Sequence, residues 1–342
     1  MKLQWNYLWI ALFALSAISI YIRLIRTIPY HTDEGKIFGT SYKITYQHDK
    51  NLKDKVEAEL KHLDSSLSPF NDTSIITRIN LNEDIVPDKF FTDVFRRSTE
   101  ISKETNGAFD ITVASLVNVW GFGFKNGNFP ESTVIDSLLE ITGYEKVMLS
   151  DEGKIVKQDN RIMLSRSAIA KGYAVDVIAQ LLKREGVHNF MIDIGGEVVV
   201  CGLNPQKETW RIGLNKPIDD LFASDNELME VLHVTDLGMA TSGNYRNYYY
   251  KNGKKYSHTI DPNTGYPVQH NLLSATVIAK DCMSADAYAT AFMVMGLEKA
   301  QRFVETHSEI EAFFIYTDEE GKFQTYQTEG MEMFINNRFT ID

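Results

Sequence analysis

Y-S-H-T-I-D-P-N-T-G-Y-P, residues 256–267, packs a histidine, an aspartate, two turn signals and two aromatic residues into twelve positions. Such a run makes a poor core. Asp261-Pro262 and Thr264-Gly265 force a tight turn. His258 and Asp261 then sit at a strand end, where side chains converge on a ligand. Taken alone, the segment is equally an ordinary hairpin exit. That reading weakens beside S-A-D-A-Y-A-T at Ser284 to Thr290, because Asp286 and Thr290 stand i, i+4 on a predicted helix and present a carboxylate and a hydroxyl the same way.

Working outward, two strands joined by Asn252-Gly253, the strongest short hairpin signal in the chain, deliver the backbone to His258. A strand from Ser274 to Ala279 follows the turn, and Ser284 is the expected N-cap of a helix that runs to Met295 and stops at Gly296. A last helix spans Glu298 to His307, and a hairpin turns around Glu319-Glu320-Gly321. Upstream, Tyr42, Ile44 and Tyr46 alternate as a strand, and Leu52, Val56, Leu60 and Leu63 recur at helical spacing. Phe70, beside Pro69 and two turn formers, is either a loop residue folded onto the core or an aromatic platform for a planar ligand. A further helix is expected from Asp88 to Thr105, stopped by Asn106-Gly107, and another from Pro130 to Ile141.

Ser165 to Gly186 carries a strong helical pattern whose opening half is unusual. Ala168, Ala170 and Gly172 surround Lys171 and Tyr173 with small side chains, which suits close helix packing and equally suits a helix start brought against a phosphate or cation. Residues 189–202 read as strand, Gly195-Gly196, strand, and the glycine pair reads first as a turn. Trp210 to Leu214 and Val231 to Thr235 add strands before Thr241-Ser242-Gly243. Helices and mostly antiparallel strands come in blocks, so the fold class is α+β.

The 342 residues carry no internal repeat or linker that would divide them, and the net charge of −11 with no basic stripe argues against nucleic acid as a partner. An anionic substrate would need local help, such as a metal ion. Cys201 and Cys282 lack metal-ligand spacing and read as buried free thiols, with a disulfide between them left open. The uncharged stretch at 3–22 is long enough to span a bilayer and has small residues but no convincing cleavage site. It is therefore read as an uncleaved anchor within residues 1–30, followed by a single domain over residues 31–342. Lys2 before it and Arg23 and Arg26 after it would by charge alone keep the following chain cytoplasmic.

Six ordered segments together resemble the ApbE family, the FAD:protein FMN transferases. They are F-G-T at Phe38, L-S-P-F-N-D-T-S-I-I-T-R-I-N at Leu67, G-A-F-D-I-T with W-G-F from Gly107, A-I-A-K-G-Y-A-V-D at Ala168, D-I-G-G-E at Asp193 with T-S-G at Thr241, and H-T-I-D-P-N-T-G-Y-P with S-A-D-A-Y-A-T-A. The resemblance covers Phe38 to about Gly296. It implies an α+β domain with a mostly antiparallel sheet and packed helices.

It further implies Mg²⁺ at the diphosphate of FAD, held by Asp286, Thr290 and the carbonyl of Ala170, with the carbonyl of Ala289 as a further candidate. Hard oxygen ligands with a single carboxylate suit Mg²⁺. The family's flavin contacts map to Phe38, Phe70, Ala108, Phe109, Asp110, Ser167, Tyr173 and Ile260; the family often has Met at the first of these and Tyr at the second. The implied reaction transfers FMN from FAD to a Thr or Ser hydroxyl of another protein, forming a phosphoester and releasing AMP. The implied acceptors are Nqr- or Rnf-type electron-transfer subunits or other exported flavoproteins, met on the periplasmic or extracytoplasmic side of the membrane. His258 is the candidate base, since an ordinary histidine titrates near ~6.5, while its plainer role is to orient Asp261 and the turn. Water as acceptor would instead make the protein a Mg²⁺-dependent FAD pyrophosphatase, and a third reading is a non-enzymatic flavin-binding protein.

Overall fold

A computed structural model describes residues 28–123, 129–217, 227–244, 248–251 and 254–336. The apolar run at 3–22 and the Asn252-Gly253 tip lie outside the described residues.

Fourteen strands are described: β1 (Tyr30–Ile37), β2 (Thr40–Gln47), β3 (Val147–Leu149), β4 (Ile155–Lys157), β5 (Phe190–Ile194), β6 (Glu197–Cys201), β7 (Trp210–Asn215), β8 (Leu228–Val234), β9 (Leu237–Gly243), β10 (Tyr248–Lys251), β11 (Lys254–Ser257), β12 (Leu272–Ala279), β13 (Glu311–Thr317) and β14 (Phe323–Gln327). The helices are α1 (Lys53–Leu67), α2 (Ile75–Asn80), α3 (Lys89–Glu104), α4 (Ala114–Val119), α5 (Ser132–Leu139), α6 (Ala170–Arg184), α7 (Cys282–Met295), α8 (Leu297–Thr306) and α9 (Glu329–Ile335). Eight strands form one antiparallel sheet in the order β1-β2-β5-β6-β9-β12-β13-β14. Alternation sets its faces: Tyr42, Ile44 and Tyr46 of β2 all point into the core.

The main core lies under α1, α3, α6 and α7, with α6 packed on β5 and β6 and α7 on β9 and β12. A second core on the opposite face gathers Val198, Val200 and Phe313 with Trp210, Leu214, Leu232 and Met331 under the β7–β8 hairpin and α9. A satellite core of Leu116, Trp120, Ile135 and Ile260 holds the quoted turn against α4 and α5.

The sheet divides at one place. β6 pairs with β9 only from Val200↔Leu237 to Val198↔Met239, whereas β12 follows β9 to Gly243. The end of β9 thus runs past the Gly195-Gly196 turn that joins β5 to β6, and a space opens there.

Several elements depart from the sequence reading. β1 was not expected, because Y-H-T-D-E-G-K-I shows no apolar alternation; its inward position at Asp33 is satisfied by the Tyr46 hydroxyl, which donates at 2.9 Å. Thr241-Ser242-Gly243 is the end of a strand rather than a connection, and β3, β4 and α9 were too short or too polar to register. The N-cap of α7 is Asp281, whose carboxylate accepts from Ser284 N–H at 2.7 Å, and Ser284 lies inside the helix. α6 begins at Ala170, after a turn in which Ile169 and Ala170 N–H donate to the Arg166 carbonyl. Both cysteines are free thiols, Cys282 buried and Cys201 only half-buried.

Gly265 shows why the quoted turn needs its glycine. Its φ is +77°, and an added Cβ would lie 2.5 Å from Ile135 Cγ2 and 3.3 Å from Leu116 Cδ2. Trp120 Nε1 donates to its carbonyl at 2.8 Å. Gly265→Ala is expected to cost roughly 2 kcal/mol or more, from left-handed strain plus overpacking, read as a lower urea midpoint.

Candidate active site

The space beside the end of β9 is a cavity of about 530 Å³, within the ~300–1,000 Å³ range of small-molecule and cofactor sites. Its wall draws on segments far apart in the chain: residues 108–111, Ser165, Ser167 and Lys171, the Gly195–Glu197 turn, residues 241–243 of β9, His258 to Ile260, and Asp286 with Thr290 on α7.

The crossing of α6 and α7 fixes the acidic side. A Cβ on Gly172 would collide with the Cys282 carbonyl, so the glycine lets the helices touch. Gly172 N–H then donates to Asp286 Oδ2 at 3.1 Å. One turn further along α6, Asp176 accepts from Cys282 N–H at 3.1 Å and Met283 N–H at 2.8 Å, satisfying amides at the start of α7 from outside that helix. Thr290 Oγ1 lies 3.2 Å from Ser242 Oγ, tying α7 to the free end of β9.

Buried charge gathers here. Lys171 Nζ pairs with Glu197 Oε1, and both side chains line the cavity with Asp286. Glu197 and Asp286 are each 2% exposed. Burial pushes both carboxyls upward, opposed in each case by Lys171. Burial by itself would lower Lys171, but Asp286 and Glu197 outweigh it and hold the ammonium above the usual lysine range.

Eight of the sequence-predicted site residues meet in this wall: Ala108, Phe109, Asp110, Ser167, His258, Ile260, Asp286 and Thr290. Asp110 is buried, and its carboxylate accepts from Thr112 N–H, Thr112 Oγ1 and Tyr144 N–H, each at 2.7 Å. It therefore orders its own loop while facing the cavity. His258 stands edge-on to Phe122, ring centroids 6.4 Å apart. Asp261 is the turn-former: its carboxylate accepts from Asn263 N–H at 2.9 Å and from the Thr264 hydroxyl at 3.2 Å.

The other five stand outside the cavity wall. Ala170 and Ala289 are buried on α6 and α7. Tyr173 donates its hydroxyl to Asp93 Oδ2 at 2.7 Å. Phe38 and Phe70 come together at the β1–β2 turn: Phe38 and Gly39 both have positive φ, and a Cβ on Gly39 would meet the Phe70 ring at 3.1 Å. Phe70 is 64% exposed, so it is not folded into the core. Thr40, which opens β2 directly after this turn, lies against Gly195 of the cavity wall.

The sequence reading gave no role to Lys171, Glu197 or Ser242. Their signal lay in the motifs themselves: a lysine among small residues, and an acid directly after the glycine pair. Gly195-Gly196 is both the expected turn and part of the cavity wall. Among the described residues no group of three His, Cys, Asp or Glu side chains converges as a metal cluster. Asp286 and Thr290, a carboxylate and a hydroxyl lining the cavity, are oxygen donors of the kind a hard cation takes.

Comparison with known proteins bears on this arrangement. The model of the ApbE family matches residues 38–314. The FAD:protein FMN transferase of Escherichia coli (strain K12) is 34% identical over 315 residues, 88% of each chain. That of Vibrio cholerae is 33% identical over 314 residues, covering 88% of this chain and 92% of the relative. Among solved structures, the flavin transferase ApbE from Vibrio cholerae superposes with a TM-score of 0.80 at 31% identity, over 90% of this chain and 99% of the other. The apo flavinyl transferase ApbE from Pseudomonas stutzeri gives 0.81 at 29% identity, over 91% and 98%.

The helix crossing makes stability depend on pH. Burial lifts Asp176 to about 7 in the folded protein, against ~3.9 for an ordinary aspartate. A raised folded-state pKa stabilises fully below the unfolded value and is lost as pH rises through the folded one. The metal-free protein should therefore lose melting temperature as pH rises from ~4 to ~7 and level off above that, and Asp176→Asn should flatten that slope.

Proposed function

As a member of the ApbE family, this chain is a flavin transferase that moves FMN from FAD to a protein, and we propose that it does so in the cavity between α7 and the His258 turn. The observation that carries this reading is that His258, Asp286 and Thr290, from two separate motifs, line one cavity.

In this reading FAD is the substrate, and its flavin lies along Ala108, Phe109, Asp110, Ser167 and Ile260, with Phe38, Phe70 and Tyr173 as the further contacts the family resemblance implies. Asp286 and Thr290 would hold Mg²⁺, with the carbonyls of Ala170 and Ala289, behind the cavity wall, as the further donors the family resemblance implies. When bound, the ion supplies positive charge at the diphosphate. A Thr or Ser hydroxyl of the acceptor attacks the phosphorus of the FMN half, an O–P bond forms, and the bond to the adenylate oxygen breaks as AMP leaves. His258 takes the hydroxyl proton. The Asp261 turn fixes the backbone three residues after His258, and Trp120, held to Gly265, anchors that turn on the satellite core. The acceptor is an exported flavoprotein such as an Nqr- or Rnf-type subunit.

The domain is further proposed to lie on the periplasmic or extracytoplasmic side, tethered by the uncharged run at 3–22. The strand order supports an attachment at this end, since β1 begins at Tyr30 on the edge of the sheet. Protease added to intact spheroplasts should digest the domain; protection would mean that Arg23 and Arg26 set the orientation.

Asp286→Ala should abolish metal binding and transfer together, and Thr290→Val should weaken both less, because a neutral oxygen contributes less field than a carboxylate. His258→Ala should still bind FAD but transfer FMN ~10² to 10⁴ times more slowly. These are read as AMP released and as fluorescent flavin on the acceptor in a denaturing gel. AMP with free FMN and an unlabelled acceptor would replace the transferase by a pyrophosphatase, and FAD recovered intact with Mg²⁺ present would leave a flavin carrier.

A further inference from the structure

Lys171 is the sole lysine or arginine among the described residues that line the cavity, whereas Asp110, Glu197 and Asp286 all face it. Such a wall offers a diphosphate no lysine or arginine other than Lys171. Lys171 has one ion-pair partner among the described residues, Glu197 Oε1. Glu197 Oε2 is buried without a hydrogen-bond partner, and Asp286 makes no ion pair of its own among the described residues. The ammonium is thus held by one oxygen, with donors to spare, in a wall where Asp286 attracts it but does not bind it.

The fold makes room for this placement. Gly195, at φ +67°, has no side chain to fill the space, and a Cβ there would sit 3.3 Å from Lys171 Cδ. A buried Lys–Glu pair often stabilises a fold no better than apolar side chains of the same volume. Its position in the cavity wall, with one carboxylate oxygen unused, fits a charge kept ready for a ligand.

We propose that Lys171 is the protein's own cation for the diphosphate of FAD, and that Glu197 is the positioning residue that keeps the ammonium away from Asp286, leaving that carboxylate to the metal. This rests on the transferase reading above. Lys171 donates to diphosphate oxygens from the α6 side while α7 presents the metal ligands. If Glu197 is neutralised, Lys171 turns to Asp286 and competes with the metal for it.

The test measures two affinities of opposite expected sign in the full chain: Mn²⁺ without FAD, and FAD without divalent cation. Lys171→Met should bind Mn²⁺ several-fold more tightly, because a neighbouring positive charge is gone, and FAD about tenfold or more weakly. Lys171→Arg should keep FAD affinity within a few-fold. Glu197→Gln should weaken Mn²⁺ and lower kcat without raising KM for FAD, and Lys171→Met with Glu197→Gln should restore Mn²⁺ binding. A purely structural role would lower both affinities together or neither, and either result overturns the proposal. Should Lys171→Met fail to fold, a Glu197→Gln protein with wild-type Mn²⁺ affinity and kcat would overturn it as well. Wild-type transfer to the acceptor is measured in parallel: if it is absent while the opposed shifts persist, the transferase reading fails and the Lys171 assignment stands.

Discussion

The crossing of α6 over the start of α7 is the contact on which the site depends. Gly172 permits it, and three N–H donors secure it, one from Gly172 to Asp286 and two from Cys282 and Met283 to Asp176. Hydrogen bonds to carboxylates in a buried setting are stronger than neutral ones and costly to leave unmade. Rotating α7 out of this register would orphan Asp176 and turn Asp286 and Thr290 away from the cavity. Arg97 adds a brace from α3, donating to the Ser284 hydroxyl at 2.9 Å and to the Tyr288 hydroxyl at 3.1 Å.

Against that fixed side, the rest of the cavity is made by what the sheet leaves unpaired. β9 outruns β6, so Thr241, Ser242 and Gly243 keep β12 as their strand partner, and the Gly195-Gly196 turn closes the space from below. His258 arrives from a different body of packing, the aromatic layer in which Trp120 stacks with Tyr256 at 5.9 Å and Phe122 with Tyr249 at 5.1 Å. Asp286 and Thr290 on one side and His258 on the other are therefore carried by different cores and face the same cavity.

The residues that line the cavity were more legible in the sequence than the architecture. Asp286, Thr290 and His258 were readable because a carboxylate and a hydroxyl at helical spacing, or a histidine beside a D-P-N-T-G turn, are poor core material. β2, α1 and α3 were readable from apolar periodicity. β1 was hidden because its inward position is an aspartate whose partner, Tyr46, lies on the next strand. β9 was hidden because small residues and glycine, which open the cavity, also erase the strand signal. Lys171 and Glu197 are 26 residues apart in sequence, and only the packing of α6 on β6 pairs them. The family resemblance supplied residue roles that spacing alone could not, and the geometry separates those in the cavity wall from Phe38, Phe70, Tyr173, Ala170 and Ala289 outside it.

The central claim is that one cavity holds both the diphosphate of FAD and the metal. A crystal of the protein grown with FAD and Mn²⁺, with anomalous scattering collected at the manganese edge, tests it most directly. The account predicts one strong peak between Asp286 and Thr290, with diphosphate oxygens on it and the flavin running toward Phe109 and Ile260. A manganese peak elsewhere, or FAD bound outside this cavity, would contradict it.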